Sequence, residues 1–245
     1  MAVICKFAAA LACALAWSAG ARADEAATPS YETLLSRRHT VAMLQGGIIA
    51  LPGAPISTSQ RGGNTPFGSI GKGDATVEAG VNVIFRVERD WSFGAGVLFG
   101  PKPTSDTQYG GTSGLARTHS RSYLVWGVEG RWLPLRQRYV EGWLGLSAGE
   151  VILADRFDTD VGTSRAAILG SRQVTVRSEG FATGLQVGAD WLITEHVVVG
   201  ISGRGNLWLL PSEQACTPIG DCATLSGAVF AFELGLSVGY RIPLF

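Results

Sequence analysis

The sequence predicts an all-β fold, an eight-stranded antiparallel up-and-down β-barrel that spans a membrane. Three observations predict it: eight segments in which apolar and polar residues alternate, connections that alternate between short and long, and an N-terminal secretory signal. A transmembrane strand needs only about 9–11 residues, so no long apolar run is required. Glycine, 33 of 245 residues, is spread along the chain, which favours strands with many small positions over a linker.

The N-terminus has the form of a secretory signal, residues 1–23. Lys6 precedes an apolar run, residues 7–17, and Ala21-Arg22-Ala23 is a small-x-small cleavage site, which places the cut before Asp24. The apolar run is shorter than the roughly 20 residues of a spanning helix. A membrane anchor and a lipoprotein cut before Cys13 are the less favoured alternatives. Residues 24–39 are predicted to be a short periplasmic tail, and residues 40–245 the barrel.

The net charge of the mature chain is close to zero and does not indicate a particular class of binding partner. Removing Lys6 and Arg22 with the signal leaves 18 basic and 20 acidic residues, a net charge of −2. This balance predicts no nucleic-acid binding. We expect no cofactor.

The eight segments begin and end at turn residues. They are predicted at residues 40–50, 75–87, 91–100, 121–133, 139–152, 181–193, 197–210 and 225–241. Short connections fall at 88–90, 134–138 and 194–196, and long ones at 51–74, 101–120, 153–180 and 211–224. Strict alternation places all short turns at one end of the barrel and all long loops at the other. This asymmetry is typical of outer membrane barrels, whose short turns are periplasmic.

The apolar face of these segments is predicted to point outward. In the second segment, Val81, Val83 and Phe85 share one face, and Glu78, Asn82 and Arg86 share the other. The interior of an eight-stranded barrel is just wide enough for side chains to fill, and it could not hold all the aromatic residues of the apolar face. A soluble, lipocalin-like barrel with that face inward is the structural alternative.

Aromatic residues next to the short turns are expected to form a periplasmic girdle. They are Phe85, Trp91, Trp132, Tyr139, Trp191 and Tyr240. The opposite rim would carry Phe99, Phe181 and Phe230.

Residues 40–245 resemble the small outer membrane barrels of the OmpA-like and OmpX-like group. The signal, the alternation, the loop asymmetry and the C-terminal Phe245 carry the resemblance. It implies Sec-type export, a place in the outer membrane of a Gram-negative-type bacterium, contact with its lipid, and recognition of the last strand by the barrel assembly machinery. Phe245 departs from the group, because it is out of phase with the outward Tyr240 and Ile242.

Charged residues of the polar face are predicted to lie in the lumen. They are Glu78, Arg86, Glu129, Arg131, Glu141, Asp190, Arg204, Glu233 and Arg241. Buried charges must be paired, so these residues predict an ion-pair network that fills the lumen. A small charged pore is the alternative.

Cys216 and Cys222 are an even pair in an exported chain, and they predict a disulfide within the last long loop. No histidine lies near them, so we expect no metal site.

The sequence does not predict an enzyme. Of the three histidines, His39 precedes the barrel, His196 lies in a short turn and His119 lies in the second long loop. His119 and Ser120 are adjacent on an extended chain and would point apart, whereas a lipid-deacylating barrel resembling the PagL group would show His-x-Ser. The Gly-rich stretches at 61–64 and 110–114 lack the lysine of a phosphate loop. The predicted role is structural or in surface interaction through four long outer loops. A narrow channel or carrier and a lipid-modifying enzyme are the alternatives.

Overall fold

The computed structural model describes residues 38–51, 74–110, 115–137, 139–158, 173–217 and 222–243. The predictions for the signal at 1–23, for nearly all of the tail at 24–39, for the Gly-rich stretch at 61–64 and for Phe245 lie outside these residues.

Eight strands form one closed antiparallel barrel, and each strand pairs with its neighbours in sequence. They are β1 (His39–Leu51), β2 (Asp74–Arg86), β3 (Trp91–Gly110), β4 (Leu115–Arg136), β5 (Val140–Asp158), β6 (Gln173–Leu192), β7 (Val197–Leu209) and β8 (Ala228–Pro243). Closure comes from continuous pairing of β1 with β8, from His39–Pro243 to Ala50–Phe232. The predicted fold class is therefore confirmed.

In the part of every strand nearer the short turns, the apolar face points outward. On β8, Phe232 and Leu234 are about half exposed, and Glu233 between them is buried. Because the barrel is closed, each strand is hydrogen-bonded to a neighbour on both sides and the sheet has no free edge. Apolar surroundings require this, since they offer no hydrogen bonds to unpaired backbone groups. The described residues contain no helix that is long and apolar enough to cross a membrane.

The outward apolar side chains form a belt of defined height. On β6 it runs from Phe181 to Trp191, ten residue steps, which at about 3.3 Å per residue and a tilt of about 40° corresponds to a height of about 25 Å. Glu150, the register partner of Phe181, is the first outward-facing charge on β5 and marks the upper edge of the belt.

Four strands are longer than the sequence predicts. Residues 101–120 and 153–180 were predicted to be long loops, but β3 continues to Gly110, β4 begins at Leu115, β5 continues to Asp158 and β6 begins at Gln173. A β-bulge between Lys102 and Asp106 interrupts the pairing of β3 with β4.

On β5 and β6 the reason for this difference is that the two faces exchange character above the belt. On β5, Leu153 and Phe157 point inward and are fully buried, while Arg156 between them is exposed. Outside the belt the outer face meets water, so apolar side chains turn inward. The reversed alternation was therefore mistaken for a loop.

The starts of the first and last strands also differ by a few residues from the prediction. His39, predicted to precede the barrel, is the buried first residue of β1. The last strand begins at Ala228 rather than at residue 225, because the residues before it fold into the barrel mouth.

The outer rim of the barrel is uneven. Strand β7 ends at Leu209, which pairs with Phe181, and β6 continues for eight more residues to Gln173. Eight steps of a tilted strand rise about 20 Å. Strands β3 to β6 therefore form a tall wall, the extended part of these four strands above the belt.

Candidate functional site

The lumen near the short turns is held by one close ion pair. Arg86 on β2 donates two hydrogen bonds to Glu141 on β5, at 2.8 and 2.6 Å, across the barrel interior. Both side chains are more than nine-tenths buried. A bidentate arginine–carboxylate pair is among the strongest polar contacts in proteins. Beside it, Arg241 lies 3.3 Å from Nδ1 of His39.

The middle of the lumen holds a branched network centred on Glu129. Glu129 accepts hydrogen bonds from Arg131 at 2.8 Å and from Arg204 at 3.5 Å. Arg204 also lies 3.4 Å from Glu233, and Arg131 lies 3.7 Å from Asp190. These contacts link four strands through the interior, so they tie opposite walls of the barrel together.

Neutral amides surround this network. Asn206 donates to Glu233 at 2.5 Å, Gln186 accepts from Arg204 at 3.1 Å, and Asn82 donates to Gln45 at 2.8 Å. Glu78 is buried, but among the described residues its Oε1 atom has no hydrogen-bond partner and its carboxylate makes no ion pair. Eight of the nine charged residues predicted to lie in the lumen therefore make polar contacts, and Glu78 is the one outside the network.

Trp143 fills the lumen below Glu129. The guanidinium of Arg131 stacks over its ring at 3.9 Å from the centroid. Gly188 on β6 is the register partner of Trp143, and a Cβ atom at Gly188 would overlap the ring. The glycine is therefore required for the tryptophan to lie flat against the wall.

A methyl group at Gly188 should destabilise the barrel. We expect Gly188→Ala to cost about 1–3 kcal/mol, the range for overpacking a filled interior. Gly203→Ala is the matched control, because a Cβ there has its nearest neighbour at 3.6 Å. Urea unfolding in lipid vesicles, followed by tryptophan fluorescence, measures both; equal free energies of unfolding would contradict the packing account.

A buried apolar layer lies on the outer side of the charged network. Its buried cluster comprises Ile49, Leu51, Tyr123, Val151, Leu153, Ala182, Trp208, Leu210, Leu225, Val229 and Ala231. Trp208 is fully buried, and its ring centroid lies 5.5 Å from that of Tyr123. Sequence reasoning missed this apolar layer, although Trp208 shares the inward parity of Asn206, two residues earlier.

The outer mouth is occupied by the described residues between β7 and β8, 211–217 and 222–227, here named the plug segment. Its residues Cys222 to Leu225 are at most 2% exposed. The backbone N–H of Thr224 donates to Asp155 at 2.9 Å, and its hydroxyl donates to the same carboxylate at 2.7 Å. Arg121 pairs with Asp155 at 3.1 Å and also donates to the Thr224 hydroxyl.

The predicted disulfide lies inside the plug segment, where Cys216 is bonded to Cys222. Gly227 has a φ of 70°, a left-handed conformation that glycine adopts without strain. Its N–H donates to the carbonyl of Pro211 at 3.1 Å, and its carbonyl accepts from Leu210 at 2.9 Å. These two bonds close the neck of the segment.

The nine predicted interface aromatics all have exposed side chains. They are Phe85, Trp91, Trp132, Tyr139, Trp191 and Tyr240 near the short turns, and Phe99, Phe181 and Phe230 toward the outer end.

Two histidines fall in the described side chains. His39 is buried in the lumen. His196, in the β6–β7 turn, stacks on Tyr240 with centroids 5.5 Å apart. Within the described residues, no group of three or more His, Cys, Asp or Glu side chains is arranged to hold a metal ion.

No protein-family model matches the sequence, and no curated protein matches it. Several solved structures resemble the barrel. Neisserial surface protein A has 15% identity and a TM-score of 0.49, covering 84% of this chain and 97% of that one. The outer membrane protein OprG of Pseudomonas aeruginosa has 13% identity and a TM-score of 0.49, covering 86% and 99%. Ail, the attachment invasion locus protein of Yersinia pestis, has 10% identity and a TM-score of 0.47, covering 84% and 99%. The chain resembles these small barrels in its fold, and the resemblance extends to the fold alone.

Proposed function

We propose that the protein is an integral outer membrane barrel with a filled lumen, which acts as a rigid, non-conducting anchor for a surface structure at its outer end. The observation that carries the proposal is the combination of an apolar belt outside with paired charges and packed side chains inside. In this proposal lipid contacts the belt, and an extracellular partner binds the outer end.

The belt supports the proposal that the barrel is embedded in a bilayer. Its height of about 25 Å matches the apolar band of outer membrane barrels. Leu146 and Leu185 are register partners near its middle, and their side chains are 65% and 69% exposed. Exposing a continuous apolar surface of this kind is unfavourable in water but not in lipid.

The packing of the interior supports a lumen without a conducting path. Two lumen cavities, one beside Asn82 and Glu129 and one beside Arg86 and Glu141, have volumes of about 40 Å³ each. Cavities of this size hold a few water molecules at most. The apolar layer around Trp208 and the plug segment lie above them.

The outer end supports a role in surface interaction. Above the belt, the outward side chains Thr175, Arg177 and Glu179 on β6 are exposed and polar. Connecting segments on a rigid scaffold are where binding residues concentrate. The outer connections at 52–73 and 159–172 therefore hold the contact residues in our proposal.

Export and assembly follow from the same proposal. The signal at residues 1–23 would direct Sec-type export, and β8 would be the strand that the barrel assembly machinery recognises. The regular alternation of β8 from Ala228 to Arg241 supports this role.

Recording of the refolded protein in a planar bilayer tests the filled lumen. We expect a flat current trace at membrane potentials at which a wide-pore porin, as the control, gives clear steps. Discrete single-channel steps would contradict the proposal and favour the narrow-channel alternative.

Membrane integration is tested separately. The protein should sediment with outer membranes and migrate faster on a denaturing gel before boiling than after it. Recovery as a detergent-free periplasmic monomer would contradict integration.

A further inference from the structure

Within the part of the chain that the structure describes, the carboxyl group of Glu78 on β2 has no ion-pair partner. Its side chain is buried, at 5% exposure, and its Oε1 atom has no hydrogen-bond partner. The carboxyl group lies beside Gly47 on β1, since a Cβ atom at that glycine would come within 2.9 Å of Oε1. The carboxyl group is therefore enclosed by the barrel wall and is shielded from water.

The strands around Glu78 offer it no basic group among their described side chains. At this level of the lumen, the inward side chains of β1 are Gln45 and Ile49, and that of β3 is Leu98. None of them ionises. On β8 the register partner of Ile49 is Glu233, which is buried as well. The titratable group that these strands bring toward Glu78 is therefore a second acid.

The guanidiniums of the middle lumen already contact other carboxylates. Arg204 on β7 lies 3.4 Å from Glu233 and 3.5 Å from Glu129. Arg131 on β4 lies 2.8 Å from Glu129. Burying a carboxylate without a cation of its own is so unfavourable that the group takes up a proton instead.

We propose that Glu78 is a proton-binding site of the lumen, held as an uncharged carboxylic acid in the folded barrel at neutral pH, so that raising the pH destabilises the barrel. The proton comes from water during folding, and the exposed carboxyl group returns it to water when the chain unfolds. The inference goes beyond the proposed function, because it assigns a pH response to the barrel itself.

The direction of the pH response follows from proton counting. In the unfolded chain Glu78 is exposed and ionises near pH 4.3, the ordinary value of about 4.3 for glutamate. At neutral pH the folded barrel therefore holds one more proton than the unfolded chain. Stability falls with rising pH wherever the unfolded state binds fewer protons. The contribution of Glu78 is thus largest in acid and is lost progressively as the pH rises.

Glu78→Gln tests the site, because the amide has the shape of the uncharged acid and does not titrate. We expect the unfolding equilibrium constant of the unaltered protein, divided by that of the variant, to rise at least about tenfold between about pH 5.5 and 7.5, since one linked proton contributes up to about tenfold per pH unit. Denaturant titration in lipid vesicles gives both constants. The histidines titrate in this range in both proteins, so the ratio isolates residue 78.

Glu233→Gln is the matched control, since it removes a buried carboxylate that does have partners. Arg204 lies 3.4 Å from Glu233, and the amide of Asn206 donates to it at 2.5 Å. At neutral pH this variant should raise the unfolding constant at least about tenfold, the factor for loss of one charge-assisted contact. Glu78→Gln should not raise it.

Infrared spectroscopy detects the proton directly. A protonated carboxyl group absorbs separately from ionised carboxylates, and at neutral pH the unaltered barrel should show such a band that Glu78→Gln lacks. Glu150→Gln, which changes an outward-facing carboxylate, should keep the band.

Three outcomes would overturn the proposal. They are a ratio of unfolding constants that does not change with pH, an infrared spectrum from which Glu78→Gln removes no band, and a loss of stability in Glu78→Gln at neutral pH equal to that in Glu233→Gln. Glu78→Leu, also uncharged, replaces the glutamine variant if heat-modifiable migration shows that the latter does not fold. The planar-bilayer measurement is independent of these tests, since a flat current trace is expected whether or not Glu78 carries a proton.

Discussion

Leu185→Arg is expected to destabilise the folded barrel in a bilayer by about 2–4 kcal/mol, the cost of an arginine on the lipid face near the midplane. Leu185 lies near the middle of the belt and is the most exposed of its large apolar side chains, at 69%. The substitution removes little packing, because the side chain faces away from the protein. Its effect therefore measures the surroundings of the belt.

Thr175→Arg is the matched control on the same strand. Thr175 also points outward, but it lies above the belt on the tall wall, where an arginine should cost at most about 1 kcal/mol. Denaturant titration of both variants in lipid vesicles gives the free energies of unfolding. Equal values for the two positions would contradict a membrane-embedded belt.

Glu129→Gln is expected to cost about 3–5 kcal/mol, the penalty for breaking a buried ion pair from one side. The substitution keeps the shape of the side chain and removes the charge that Arg131 and Arg204 share. All three side chains are at least about nine-tenths buried. Arg131 and Arg204 would then keep only Asp190 and Glu233 as carboxylate partners among the described residues.

Glu150→Gln is the control, since Glu150 faces outward at the edge of the belt. We expect its effect on the free energy of unfolding to stay within about 0.5 kcal/mol. Adding Arg131→Met to Glu129→Gln should restore part of the lost stability, because it removes one of the two uncompensated charges. A loss below about 1 kcal/mol for Glu129→Gln would show that the network contributes little to stability.

The barrel itself was predictable because one physical rule applies throughout the belt. Apolar side chains point out and polar side chains point in, and the period of two reveals both faces, as Phe232 and Glu233 show on adjacent positions. The same parity placed Arg86, Glu129 and Glu141 in the lumen. The pairing of Arg86 with Glu141 was not predictable, because it joins β2 to β5, which are not adjacent in the barrel.

The upper barrel was not predictable by that rule, since the rule reverses there. Leu153, Asp155 and Phe157 point inward beside the exposed Arg156, so the alternation of the belt does not continue through them and the sequence predicts a loop there. The role of Asp155 was lost with them. The plug segment was not predictable either. The sequence predicts a loop at 211–224 and a strand from Leu225, and neither pattern shows that Thr224 and Leu225 pack into the barrel mouth.

The uneven rim makes the outer end of the barrel asymmetric, with a tall side at β3 to β6 and a short side at β7 and β8. A molecule that approaches over β7 and β8 meets strands that end at the level of Phe181, whereas one that approaches from β5 and β6 meets a wall about 20 Å taller. The described outward surface of that wall is convex and carries Arg156, Arg177 and Glu179. A single barrel of this shape in a bilayer would rotate about the membrane normal, and its encounters with a fixed surface would depend on the direction in which the wall faces. Binding to such a surface would stop that rotation, and a loss of rotational freedom is a signal that spin-label or fluorescence anisotropy measurements detect.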